Sequence, residues 1–173
     1  DATKGIAPTT QELLDYAKLL SVEWEKDISL SDSGYRKFSN ENIELIVDVG
    51  GITPTYQPGH AHADELNFVL NLNGKPLIVD VGISTYEKNE RRQLERSTIS
   101  HNCVSLDNSN SSEVWGGFRV AKRAQVKNLK EGFNFVEAKH DGYKKIGVSH
   151  LRKFLVDKSL VQINDTIVND SNY

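Results

Sequence analysis

A chain of 173 residues is long enough for one domain with a sizeable core, and at 38% hydrophobic residues it reads as a water-soluble one. Its net charge of -3 lacks the basic bias of a nucleic-acid binder. No apolar run approaches the roughly 18 residues of a membrane helix, and the single cysteine, Cys103, excludes an internal disulfide.

Residues 1–8 read as an unstructured leader. They begin at Asp1 without the apolar segment of a secretory signal, so the chain is expected to be an excised piece of a longer protein. Thr9 and Glu12 stand at capping-box spacing, and Leu13, Tyr16, Ala17, Leu20 and Trp24 follow at helical spacing. The pattern predicts one amphipathic helix over 10–25. From Gly34 the period changes to two, predicting strands at 34–38 and 43–49, with Ile43, Leu45 and Val47 on one face. Leu66, Phe68, Leu70 and Leu72 share a face of a further strand. Asn73-Gly74 is a two-residue hairpin turn, because both positions tolerate positive φ, and 77–81 is the return strand. Residues 83–100 read as a long polar loop with a short helix near 89–94, and 108–113 as a turn. Strands are expected at 118–126, 133–139, 150–156 and 160–168, with Asp157-Lys158 as a tight turn. The fold class is therefore all-β, an antiparallel β-sandwich with one N-terminal α-helix. Cys103 falls in an apolar strand pattern and is expected to be a small core residue. Asn110, Asn164 and Asn169 begin N-x-S/T triplets, which carry little weight alone.

The chemistry centres on Gly59-His60-Ala61-His62-Ala63-Asp64-Glu65, on the carboxylate inside Leu77-Ile78-Val79-Asp80-Val81-Gly82, and on His101-Asn102. Neutral imidazoles and carboxylates are the ligands zinc takes, so His62, Asp80 and His101 would form a three-ligand site if the fold gathers them. A single histidine near a strand is more often a hydrogen-bonded structural residue, and spacing alone leaves both readings open. In an extended chain His60 and His62 would share a face. A flat hairpin across Asn73-Gly74 sets Asn67 opposite Asp80 but leaves His62 near Thr85, too far for a shared ion, so a bulge or bend is required. Arg91, Arg92 and Arg96 could form a basic patch for an anionic glycan, or a solvated surface cluster. Asp64 is expected to cap or orient its loop, and His140 and His150 to be surface or core residues.

These motifs, with Tyr86 and Arg96-Ser97-Thr98-Ile99-Ser100-His101-Asn102, resemble the heparinase II/III-like polysaccharide lyases, densely from about Ser33 to Leu106 and thinly beyond. The resembling part is the β-sandwich domain that follows a helical (α/α) toroid. What the resemblance implies is a division into 1–28, the end of the toroid or a linker, and 29–173, the sandwich, truncated at its C-terminus. It implies β-elimination on a uronate-containing polysaccharide such as a glycosaminoglycan or alginate, in a periplasmic or secreted parent. His60 would face the substrate with Tyr86 as acid or base, Arg96 and Asn102 would bind the substrate carboxylate, and His62, Asp80 and His101 would hold a structural zinc. Without the toroid of the same parent chain the isolated piece is expected to be inactive. The alternatives are a cupin-like metal enzyme using His60, His62 and Glu65, and a non-catalytic glycan-binding sandwich.

Overall fold

A computed structural model describes residues 5–23 and 31–170. Helix α1 (Thr10–Leu19) starts on the expected capping box: the Glu12 amide donates to Thr9 Oγ1, and the Glu12 carboxylate accepts from the Thr9 amide at 2.7 Å. It stops short of the expected end, and Ser21, at φ 54°, turns the chain out of helix. Residues 20–23 of that prediction are not helical, and 24–25, Trp24 included, lie outside the described residues. None of α1 is buried.

The first sheet is β1 (Tyr35–Ser39), β2 (Ile43–Asp48), β3 (Phe68–Leu72) and β4 (Lys75–Ile78), antiparallel and in that order. A separate hairpin follows, β5 (Glu113–Trp115) with β6 (Arg119–Ala121). The second large sheet is β7 (Val126–Gly132), β8 (Phe135–His140), β9 (Val148–Val156) and β10 (Val161–Asn169), in spatial order β10-β9-β8-β7. The two four-stranded sheets pack face to face. Ile43, Leu45 and Val47 of β2 and Phe68 and Leu70 of β3 meet Val136 and Ala138 of β8 and Phe154 and Val156 of β9. Phe68 and Phe154 touch edge to face across the layer, with centroids 5.6 Å apart. Alternation along β2 buries the odd positions and leaves Glu44 and Asp48 on the other side.

Two expected strands are corrected. The run 118–126 is not one strand: Lys122, at φ 42°, breaks it, so β6 ends at Ala121 and β7 begins at Val126 in another sheet. The segment carrying Cys103 is irregular, and the thiol is half-buried with Sγ on the Glu65 carbonyl at 3.4 Å. In the expected loop, α2 (Glu90–Glu95) forms, N-capped by Asn89, whose side chain accepts from the Arg92 amide at 2.9 Å.

The hairpin argument required a bulge or a bend, and the fold has both. The β3–β4 register slips between Leu70 and Asn71, since Leu70 pairs with Ile78 while Asn71 pairs with Pro76. Upstream, the Asn67 amide donates to the Asp64 carbonyl at 3.1 Å, with Leu66 at φ 63°. This turn folds the histidine run back over the hairpin.

Candidate active site and metal centre

The histidine run is held by the segment after α2. The Ala63 amide donates to the Arg96 carbonyl at 3.0 Å, and Thr98 Oγ1 donates to the Ala63 carbonyl at 2.7 Å. Arg96 is fully buried; its Nε and Nη2 donate to the Ala61 carbonyl at 3.1 and 2.9 Å, and other bonds reach the Trp115 and Arg119 carbonyls. Residues 58–60 form a tight 3-10 turn and Ala61 returns to extended geometry, so the two histidines take different partners. This replaces the expectation that they share a face.

His62 Nδ1 lies 3.2 Å from His101 Nε2, and His101 Nδ1 lies 2.7 Å from Asp80 Oδ2. Asp80 also accepts from Asn67 Nδ2 at 2.7 Å and from the Gly82 amide at 2.8 Å. The fold thus gathers His62, His101 and Asp80 from three segments. Ligand atoms of His62, Asp64 and His101 all lie within 4.8 Å of one another, the spacing of a metal-binding group. A cavity of about 310 Å³ opens beside them, with Tyr35, Asp48, His60 and Asp64 in its wall. Carboxyl groups crowd it, with Asp48, Asp64, Glu65 and Asp80 all in its wall. Burial pushes Asp48 up to about 6 against its bond from the Gly50 amide, and Asp64 up to about 7 against the pull of His101. Burial and the neighbouring His101 hold His62 down at about 4. For Asp80 burial acts upward but is outweighed by the bonds from His101 and Gly82, which keep it at about 2. Two imidazoles and a carboxylate converging among desolvated acids suit a divalent cation.

His60 is exposed on the rim. Its ring is edge-on to Tyr86 at 5.5 Å and to Phe118 at 6.1 Å, and Tyr86 is 45% exposed. Arg92 sits behind this cluster, fully buried, with its guanidinium 5.5 Å from the Tyr86 ring centre and 5.2 Å from that of Phe118.

A scan against protein families matches residues 25–172 to "Heparinase II/III-like, C-terminal". The chain belongs to the heparinase II/III-like family. Among solved structures it is similar to a heparan sulfate lyase HepC mutant from Pedobacter heparinus, at TM-score 0.65 and 18% identity over 92% of this chain and 27% of that one. The unmutated HepC gives TM-score 0.63 at 18% identity, over the same 92% and 27%. A heparinase III gene product gives TM-score 0.61 at 22% identity, over 94% and 28%. The chain therefore spans about a quarter of the length of these structures, and at such identities the likeness concerns the fold, an antiparallel sandwich. No curated protein sequence matches the chain.

Within this heparinase-like sandwich several expected residues have other work. Arg96 is committed to backbone carbonyls, and Asn102 Nδ2 donates to the Phe68 and Val79 carbonyls at 2.8 and 3.0 Å. Both brace the site from behind rather than face a substrate carboxylate. The expected Arg91–Arg92–Arg96 patch does not form, because Arg92 and Arg96 are buried while Arg91 pairs outside with Glu95. Glu65, which a cupin-like site would need, is buried and accepts from the Ser111 and Ser112 hydroxyls. The sequence reading missed Asp64 as a donor and Phe118 as a neighbour of His60. Its position two residues past His62 was the available signal for the first; nothing local marked the second.

Proposed function

We propose that this chain is the sandwich portion of a polysaccharide lyase that cleaves uronate-containing glycans by β-elimination. The reading is carried by His60, an exposed imidazole in the wall of a polar cavity, and by Tyr86, an exposed phenol whose ring lies edge-on to it at 5.5 Å. In such a reaction a base removes the proton beside the uronate carboxylate, the electron pair forms a carbon–carbon double bond, and the glycosidic oxygen leaves with a proton from an acid. His60 and Tyr86 offer the base and the acid. Because Arg96 and Asn102 are spent on backbone carbonyls, the group that neutralises the substrate carboxylate is assigned to the preceding toroid of the parent chain. Without it the isolated chain is expected to be inactive. Heparan sulfate is the substrate of the HepC relatives by name, and a sulfated glycosaminoglycan is accordingly the first substrate to try.

The donor set fits zinc. His62 and His101 would hold it, with Asp64 or Asp80 as the carboxylate. The chemistry proposed for it is structural: it ties the histidine run, the β4 end and the segment after α2 together behind His60. The deciding experiment incubates the full-length parent with a panel of uronate polymers and follows absorbance of the unsaturated product. A rise with at least one polymer, lost on His60→Ala, is expected. No rise with any polymer would overturn the lyase reading.

A further inference from the structure

Away from His60, the β5–β6 hairpin and the turn between β8 and β9 enclose a groove of about 460 Å³. Val114, Ala124 and Tyr143 are buried beneath it, while Trp115 is 43% exposed at its edge. Lys122, Arg123, Lys144 and Lys145 line it against only two carboxylates, Glu113 and Asp141. In a chain of net charge -3 this is a local reversal of sign. The pairing does not cancel it. Glu113 is shared by Lys122 at 3.2 Å and by Lys145, so one of these two positive charges is uncompensated. Arg123 has no carboxylate partner among the described residues; its Nη1 donates to the Thr55 carbonyl at 2.6 Å. The three lysine side chains are more than half exposed, and ion pairs in that setting are weak, so an incoming anion displaces them at little cost.

We propose that this groove is a second, non-catalytic binding site for an anionic saccharide chain. Cations around an apolar floor suit a sugar that carries sulfate or carboxylate groups on a ring with apolar C–H faces, and the indole edge offers such a face a platform. The choice of a saccharide over another polyanion rests on the lyase reading. It draws on the hairpin itself: Phe118 at its turn touches His60, while Trp115 on its first strand lines the groove. One polymer reaching past His60 meets this hairpin next.

The test is an NMR titration of the isotope-labelled 173-residue chain. Three probes of equal length are used: a heparin-derived oligosaccharide, its unsulfated uronate counterpart, and a neutral glucan. The Trp115 indole N–H and the amides around Ser111, Arg123 and Lys145 are expected to shift with one or both anionic sugars, less at high salt, and not with the glucan. Which anionic probe acts separates sulfate from carboxylate recognition. The double variant Lys122→Glu/Lys145→Glu, confined to exposed side chains, should weaken binding at least tenfold, Trp115→Ala likewise, and His60→Ala not at all. Shifts confined to the His60–Asp64 run, equal shifts with the glucan, or no shifts would overturn the proposal. The lyase reading fails separately, through absent product from the parent: a silent groove on an active parent removes only the groove.

Discussion

His101 is engaged on both ring nitrogens, and this orders the candidate metal centre. With Nδ1 on Asp80 at 2.7 Å, its remaining nitrogen faces His62 Nδ1 at 3.2 Å. A carboxylate behind a metal-binding imidazole fixes its tautomer and orientation, and removing one costs roughly 10–100-fold in metal affinity. Asp80 occupies that place, while the converging donor group contains Asp64. The gathering of His62, Asp80 and His101 could be anticipated from residue type, once a bend was allowed. Asp64 was read as a loop cap because a ligand two residues past His62 is useful only after the Asp64–Asn67 turn closes, and a left-handed Leu66 gives no sequence warning of that turn. The two aspartates can be told apart. Zinc affinity, measured by competitive chelator titration with elemental analysis of the purified chain, is expected to fall further in Asp64→Ala than in Asp80→Asn. The reverse order would return the ligand role to Asp80.

On the scale of elements, β8, β9 and β10 are stitched by a buried polar chain. The Gly142 amide donates to His140 Nδ1 at 3.2 Å, so His140 Nε2 carries the proton and donates to His150 Nδ1 at 3.0 Å. His150 Nε2 in turn donates to Asp165 Oδ1 at 2.6 Å. Arg152 grips the same carboxylate through Nε at 2.6 Å and Nη2 at 3.0 Å, and its Nη1 donates to the Leu66 and Asn102 carbonyls. The second sheet thereby supports the backbone that carries the candidate site. The Arg152–Asp165 pairing does not follow from the expected Asp157-Lys158 turn, which would set Arg152 opposite Ile163: the Asp157 amide donates to the Leu160 carbonyl at 2.8 Å, so the turn falls at Lys158-Ser159 and brings Asp165 opposite Arg152. The His140–His150 contact does not follow from the sequence either, because a 3-10 turn and a left-handed Gly147 set the β8–β9 register. Burial and the adjacent His150 hold His140 at about 3, below its ordinary 6.5. A histidine depressed in the folded state contributes stability that is fully present above its unfolded pKa and is lost as pH falls through 6.5 toward 3. Urea unfolding should therefore show a loss of about 2 kcal/mol from this group between pH 8 and pH 5. His140→Gln keeps a donor toward His150 and should flatten that part of the curve. An unchanged slope in the variant would show that His140 is not the group taking up the proton.

Considered as a whole, the molecule buries one side of its first sheet and leaves an apolar stripe at the edge. Leu77, Val79 and Val81 are 60, 60 and 53% exposed along the extended run, while Asp80 between the valines turns inward to His101. In the sequence this is an apolar run interrupted only by Asp80, which suits a strand buried on both sides and does not show that this face stays open. An edge that presents apolar side chains together with unpaired backbone groups invites association. In the proposed parent the toroid is assigned to this stripe, which lies on the opposite side of the strand end from Asp80, so that covering it would stiffen the segment that holds His101. The 173-residue chain alone should then self-associate, and Leu77→Lys/Val79→Lys should make it monomeric by sedimentation with its unfolding midpoint unchanged. In the full-length parent the same pair should lower both the melting temperature and the rate of product formation, because the interface and the brace on Asp80 are lost together. A parent that tolerates both lysines with unchanged melting and turnover would place the toroid elsewhere on the sandwich.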